Sequence, residues 1–267
     1  MPRASRVLVG IALCLLSAAV GCAPEPINPS FPVDVDEGRM DLSRMEDHPH
    51  SLQRPLVVIG GFLDPGFAAW HLQNEFATLT GDHRIVGVSL AECLSFDDCA
   101  QKIVRAVNQT WPSKYDGETI EVDVVGNSMG GLAARFAALP TDGKRMRLNI
   151  ARLFTISSPL SGAEDAVRYP LMHPMQKSMR PGSPLYAKLN SESPDYPIYS
   201  YVRLGDWVVG AENAAPPGHT AWWVPNEPVT DPHSGAMYDP RILSDIARRL
   251  RGESPMALDP PAALPVE

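Results

Sequence analysis

The chain has 267 residues, of which 44% are hydrophobic and 20% charged, with a formal net charge of −8. This length and apolar fraction are typical of one globular domain with a full core. The acidic balance, and the lack of any run of lysine and arginine, argue against a phosphate-binding surface, so we expect no nucleic-acid partner.

The first 22 residues have the pattern of an export signal. Arg3 and Arg6 supply positive charge, residues 7–20 are mostly apolar, and a small-residue stretch leads to Cys22. The apolar run is too short to span a bilayer comfortably. The ending Ala-Ala-Val-Gly-Cys resembles a bacterial lipobox, in which the cysteine is acylated and becomes the mature N-terminus. The resemblance implies a signal peptide over 1–22 and a protein of the cell envelope anchored through Cys22; ordinary secretion is the alternative.

Two further cysteines, Cys93 and Cys99, would remain in the mature chain. A close pair in an exported, oxidising compartment predicts a local disulfide, with two buried or free thiols as the alternative. Two cysteines without partners at ligand spacing do not indicate zinc, and no H-E-x-x-H motif is present. We therefore expect no metal.

Residues 23–54 are rich in Pro, Asp, Glu and His with little periodicity, which predicts a flexible tether. From residue 55 to 252, strand patterns alternate with helix patterns, and this indicates an α/β domain. The predicted strands cover 56–59, 84–90, 120–125, 151–156, 198–204 and 221–224, and the clearest predicted helices cover 67–79, 97–107 and 240–251.

Two segments interrupt or follow this alternation. Residues 161–197 are rich in proline and contain Met172, Met175 and Met179, so we interpret them as a lid over the site; a surface excursion without a role is the alternative. Residues 253–267 are proline-rich and predict a loose tail.

The stretch from Thr119 to Phe136 is the most informative part of the chain. An alternating strand runs into Gly126-Asn127-Ser128-Met129-Gly130, and a helix of small residues follows. This is the pattern of a nucleophile elbow, which presents a serine on a tight turn between strand and helix. Glycine flanks the serine because a Cβ there would collide with the neighbouring strand and helix. Ser128 is the candidate nucleophile, and the Met129 N–H a candidate oxyanion donor.

A serine nucleophile needs a base and a carboxylate that orients it. After an elbow of this kind, the acid follows a late strand and the histidine follows the last strand. Asp206 comes two residues after the predicted strand 198–204, with Glu212 and Asp195 as rivals. His233 follows the strand 221–224, whereas His219 precedes it. We nominate Asp206 and His233.

Over about residues 55–251 the chain resembles bacterial lipases and esterases of the α/β-hydrolase superfamily. The elbow and the positions of the acid and the base match this family. In addition, Gly60-Gly61-Phe62 is similar to its His-Gly-x oxyanion loop, and residues 155–162 are similar to its T-x-x-x-P-H-x-G segment. The resemblance implies a mostly parallel central sheet with helices on both faces and a lid-like insertion. It also implies a second oxyanion donor at the Phe62 N–H.

The activity implied by this resemblance is cleavage of a small-molecule or lipid ester through an acyl-enzyme, without a cofactor or an obligate protein partner. Three positions where many members carry histidine hold Gly60, Asn127 and Leu160, so the substrate class stays open. A thioesterase, amidase or acyltransferase with the same triad, or a binding lipoprotein without turnover, are the alternatives.

Overall fold

The computed structural model describes residues 26–141, 143, 145–164 and 173–265. The strands are β1 (Leu56–Ile59), β2 (Ile85–Val88), β3 (Glu118–Asn127), β4 (Arg147–Ile156), β5 (Ile198–Arg203) and β6 (Trp222–Val224). The helices are α1 (Val35–Asp47), α2 (Phe67–Thr80), α3 (Phe96–Thr110), α4 (Met129–Ala137), α5 (Pro174–Ser178), α6 (Pro184–Leu189), α7 (Pro232–Gly235) and α8 (Pro240–Arg251). None of these helices is long and apolar enough to cross a bilayer.

The strands form one sheet in the order β2-β1-β3-β4-β5-β6, and every described pairing is parallel. The predicted mostly parallel sheet is therefore confirmed. In a parallel sheet all strands end at the same edge, and the loops that leave this carboxyl edge can bring distant residues together. The candidate site is built from four such loops.

Helices cover both faces of the sheet, as predicted. Alternate residues of β1 belong to two separate cores: Val57 and Ile59 pack with α3 and α4, while Leu56 and Val58 pack with α1, α2 and α8. A strand buried on both faces has no exposed side chains, which explains its continuous apolar sequence.

The final helix begins and ends where the sequence predicts. Asp239 is the N-cap of α8, and its carboxylate accepts a hydrogen bond from the Arg241 N–H, with Pro240 in the first turn. Gly252 ends the helix with φ 75°, a left-handed conformation that glycine adopts without strain.

The prediction of a flexible tether over 23–54 is wrong for its described part. Helix α1 begins at a capping box between Asp34 and Glu37 and packs against α2 and α8, with Phe31 and Met45 buried. The apolar residues of α1 are few, and one of its buried positions holds the charged Asp41, which pairs with Arg248 of α8, so the sequence shows little periodicity. The polar composition of residues 23–54 therefore did not indicate that a helix in this segment packs on the domain.

The prediction of a loose tail over 253–267 is also wrong for the described residues. The indole N–H of Trp222 donates to the Leu258 carbonyl at 2.9 Å, and that of Trp223 to the Ala263 carbonyl at 3.0 Å. These bonds fasten the tail to the edge strand β6. Proline prevents regular helix here but leaves carbonyl acceptors free for such contacts.

The predicted lid lies partly outside the described residues, and Met172 is among those not described. Met175 and Met179, four residues apart at helix α5, are buried in the core that covers α4. These two side chains therefore fill the core and do not form an exposed apolar lid. The segment does reach the candidate site, since the ring of His173 meets the Phe62 ring edge-on at 5.0 Å between ring centres.

The predicted disulfide is not formed, and Cys93 and Cys99 are free, buried thiols. Both belong to the core on the α3 side of the sheet. Burial, together with the neighbouring Cys93, raises the pKa of the Cys99 thiol above its usual value. The thiolate that oxidation requires is therefore disfavoured at this position.

Candidate active site

Ser128 occupies the sharp turn between β3 and α4. Its backbone has φ 51° and ψ −127°, a conformation that non-glycine residues rarely adopt and that stores strain. The Ser128 N–H donates to the Ile156 carbonyl of the adjacent strand β4 at 2.8 Å. This bond holds the strained serine at the carboxyl edge of the sheet.

The flanking glycines are required for packing. A Cβ on Gly126 would lie 2.4 Å from the backbone of Gly131, and a Cβ on Gly130 would lie 2.4 Å from the Ile59 carbonyl oxygen of β1. Real Cβ atoms do not approach backbone this closely. The elbow sequence thus lets α4 start directly against β1 and β3.

The structure brings together the three residues that the sequence nominated. His233 Nε2 lies 3.1 Å from Ser128 Oγ, and His233 Nδ1 lies 3.0 Å from Asp206 Oδ2. The Asp206 side chain is fully buried, whereas the His233 side chain keeps 17% of its surface exposed. The imidazole therefore connects a buried carboxylate to a serine hydroxyl.

Asp206 is oriented by backbone donors. Gly205, with φ 76°, turns the chain after β5, and the N–H groups of Val208 and Val209 each donate to Asp206 Oδ1 at 3.1 Å. These donors satisfy the buried carboxylate and fix its orientation. Asp206 can therefore accept a hydrogen bond from the Nδ1–H of His233, and Nε2 then faces Ser128.

His233 lies in the short helix α7, which Asp231 caps. The Asp231 carboxylate accepts from the Ser234 N–H at 2.7 Å and from the Trp207 indole at 3.3 Å. Burial raises the pKa of Asp231, but the hydrogen bonds from the Ser234 hydroxyl, the Ser234 N–H and the Trp207 indole outweigh burial and lower the pKa below its usual value. The Asp231 carboxylate thus stays charged, and it links the loop that carries Asp206 to the loop that carries His233.

A buried ion-pair cluster, which was not predicted from the sequence, supports the loop that carries His233. Arg203, at the end of β5, and Arg241 each donate to the Asp239 carboxylate at 2.7 Å. Arg203 also donates to Thr230 at 3.1 Å, three residues before His233. Burial raises the pKa of Asp239, but the hydrogen bonds and positive charges of Arg241 and Arg203 outweigh burial, so the pKa is lowered. An arginine at the end of an otherwise uncharged strand was the available signal.

The two candidate oxyanion donors flank Ser128. Met129 is the first residue of α4, so its N–H has no acceptor within the helix. A Cβ on Gly61 would lie 3.2 Å from Ser128 Cβ, which shows how closely the loop before Phe62 approaches the serine. Within the described ranges, neither the Phe62 N–H nor the Met129 N–H donates to a protein acceptor.

The rival residues lie elsewhere. Glu212 and Asp195 are exposed, and the ring nitrogens of His233 bond to Asp206 and Ser128 instead. His219 is exposed in the loop before β6. In the part of the chain that the structure describes, no group of three or more His, Cys, Asp or Glu side chains could hold a metal ion.

A six-stranded parallel sheet, helices on both faces and a strained serine between the third strand and the following helix define the α/β-hydrolase fold. Among solved structures, the chain is similar to the lin2722 gene product of Listeria innocua, at 16% identity and a TM-score of 0.51, over 73% of this chain and 93% of that chain. At this identity the likeness concerns the fold alone.

Two further solved structures are similar at lower scores. One is a protein of Lactobacillus plantarum provisionally named a cell surface hydrolase, with 15% identity, a TM-score of 0.45, and coverage of 76% of this chain and 94% of that chain. The other is a lipase-esterase related protein of Clostridium acetobutylicum, with 12% identity, a TM-score of 0.43, and coverage of 76% and 97%. No protein-family model and no curated protein matches the chain.

Proposed function

We propose that the protein is a serine hydrolase that cleaves carboxylic esters. The observation that carries this proposal is the continuous hydrogen-bonded line from Asp206 through His233 to Ser128, with 3.0 Å at one end and 3.1 Å at the other. A strained serine whose hydroxyl is hydrogen-bonded to an imidazole nitrogen is the arrangement of an activated nucleophile, which binding alone does not require.

In the first half of the reaction, His233 Nε2 takes the proton of Ser128 as the hydroxyl oxygen attacks the ester carbonyl carbon. The Asp206 carboxylate stabilises the imidazolium that forms. The carbonyl oxygen becomes an oxyanion, which the N–H groups of Met129 and Phe62 would bind. His233 then gives its proton to the leaving alkoxide, and Ser128 is left acylated.

In the second half, water enters and His233 takes one of its protons. The hydroxide attacks the acyl carbon, the same oxyanion donors act again, and the bond to Ser128 Oγ breaks. His233 returns the proton to Ser128, and a carboxylic acid leaves. The balanced reaction consumes one ester and one water and yields one acid and one alcohol.

Export and anchoring through Cys22 are part of the proposal. They would place the hydrolase in the cell envelope, where it could meet both soluble esters and lipid esters. The support for this placement is the lipobox-like ending at Cys22 together with the charged and apolar regions before it.

Labelling with a fluorophosphonate probe, followed by mass spectrometry of the labelled peptide, tests the proposal. The probe reacts with activated serines, so we expect the adduct on Ser128. His233→Ala should abolish labelling, and His219→Ala, which alters an exposed histidine outside the site, should leave it unchanged. Absence of a label on Ser128 in the folded protein would contradict the proposal.

A panel of esters, thioesters and amides then tests the bond that is cleaved. We expect turnover to be highest with carboxylic esters. A thioester or amide cleaved faster than the matched ester would correct the substrate class while leaving the serine chemistry intact.

A further inference from the structure

Eleven large apolar side chains face solvent in the described part of the chain, and several of them lie at one edge of the sheet. Five of them lie in the segments that directly follow strands: Leu63 and Phe67 after β1, Leu94 after β2, Trp207 after β5 and Val229 after β6. We call these five residues the apolar rim. The rim lies at the same carboxyl edge as Ser128.

Two of the rim residues have an unusual backbone conformation. Leu63, with φ 55°, and Val229, with φ 64°, are two of the four non-glycine residues with positive φ among the described residues, and Val229 is fully exposed. Trp207 shows 46% of its surface while its indole N–H reaches Asp231. A ring with one bonded polar atom and an exposed apolar body is typical of tryptophan at a membrane interface.

The N-terminal segment determines where a lipid anchor would enter. Asn28 donates to the Trp223 carbonyl at 2.6 Å, and Pro26 and Ile27 line one surface cavity together with Pro225 and Glu227 of the loop after β6. That loop also carries Val229 and leads to His233. The described chain therefore starts beside the loop that carries the rim residue Val229.

The anchor would also be short. Only residues 23–25 separate Cys22 from Pro26, and four extended residues span at most about 14 Å. A domain of this size has a radius of gyration of about 18 Å. A flexible tether over 23–54 would have let the domain turn freely, but with residues 26–54 packed on the domain this freedom is lost.

We propose that the apolar rim docks on the surface of the bilayer that holds the Cys22 anchor, so that Ser128 faces that bilayer and takes acyl esters from it. The docking rests on the anchor predicted at Cys22, and the choice of substrate rests on the proposed hydrolase function. Because the chain carries a net charge of −8, uncharged phosphatidylcholine is a better test surface than an anionic lipid.

Fluorescent labels at single introduced cysteines test this orientation. The full chain, purified with its anchor and carrying Ser128→Ala to prevent hydrolysis, is placed in phosphatidylcholine vesicles with or without a quencher-bearing lipid. Val229→Cys and Leu63→Cys report on the rim. Tyr115→Cys is the matched control, since Tyr115 is 71% exposed, between Leu63 at 56% and Val229 at 106%, but precedes β3 at the opposite edge. The parent chain, without an introduced cysteine, is the blank that measures labelling of the buried thiols.

We expect quenching by the lipid to be severalfold stronger at Val229→Cys and Leu63→Cys than at Tyr115→Cys. Equal quenching at all three positions, or a chain that does not join the vesicles, would overturn the proposal. A blue shift of the rim labels without vesicles would show that a second copy covers the rim, and would also overturn it. Fluorophosphonate labelling of the chain with Ser128 intact reports separately on the hydrolase function.

Discussion

Arg203 and Asp239 form an ion pair of 2.7 Å that is almost completely buried. Arg203 ends the strand that leads to Asp206, and Asp239 begins the helix that follows His233. The pair therefore connects the supports of the candidate acid and the candidate base. A buried pair of this kind contributes little net stability compared with apolar residues, but it fixes the geometry around it.

Arg203→Lys tests this positioning role. Lysine keeps the charge but loses the planar fork that reaches both Asp239 and Thr230, so the His233 loop should loosen. We expect kcat for ester hydrolysis to fall about tenfold, or about 1.4 kcal/mol, with KM little changed. Arg152→Lys is the control, because Arg152 also pairs with a buried carboxylate, that of Asp123, but away from the site. An equal loss of kcat in both variants would contradict a positioning role for Arg203.

Removing members of the triad should show that they act as a unit. Ser128→Ala should lower kcat by about four orders of magnitude or more, since only binding and the oxyanion donors would remain. Adding His233→Ala to that variant should cause little further loss. Steady-state kinetics with an activated ester, with far-ultraviolet circular dichroism to confirm folding, measures both. A loss of less than tenfold for Ser128→Ala would refute the assignment.

Gly130→Ala tests the packing of the elbow. The added methyl would meet the Ile59 carbonyl oxygen at 2.4 Å, and neither backbone can yield without moving α4 or β1. We expect the free energy of unfolding to fall by about 3 kcal/mol, or folding to fail. Gly117→Ala is the control, since nothing lies within 4 Å of its Cβ position, and should change stability by less than about 0.5 kcal/mol. Urea unfolding gives both values, and similar values for the two variants would contradict the packing argument.

Asp41→Asn tests the docking of helix α1. Arg248 and Ser244 of α8 and Arg44 of α1 donate to Asp41, and these bonds outweigh burial and lower the pKa of Asp41 to about 2. A lowered pKa stabilises the fold above the ordinary carboxyl range, and the stabilisation is lost as the pH falls from about 4 to about 2. We expect Asp41→Asn to cost about 2 kcal/mol at pH 7 and progressively less below pH 4. A variant that melts like the parent at pH 7 would show that α1 is not docked through this contact.

The state of the cysteines can be read directly. Cys93 and Cys99 are buried, and burial raises the pKa of the Cys99 thiol, so both should resist alkylation in the native protein at pH 8. After unfolding in denaturant without reductant, both should react. Mass spectrometry of the alkylated peptides counts the thiols. The contrary outcome is that neither cysteine reacts after unfolding when the protein is purified from an oxidising compartment. That protein would contain the disulfide that the structure lacks.

The sequence alone was enough to predict the parts of the molecule that depend on neighbouring residues. The elbow around Ser128, the cap and stop of helix α8 and the alternation of strand and helix all follow from periodicity and turn chemistry. Asp206 and His233 could be nominated because parallel strands end at one edge, so chain order indicates which residues can meet there. These rules act over a few residues or follow from topology.

Only the tertiary structure decided the features that depend on polar partners far apart in the chain. Asp41 meets Arg248 across 207 residues, Trp222 meets Leu258 across 36, and Arg203 meets Asp239 across 36. A paired charge and an exposed charge look the same in a sequence, because burial of a charge depends on a partner that composition does not reveal. For this physical reason the docked helix α1 was predicted as a tether, and the arginine that supports the His233 loop was not predicted at all.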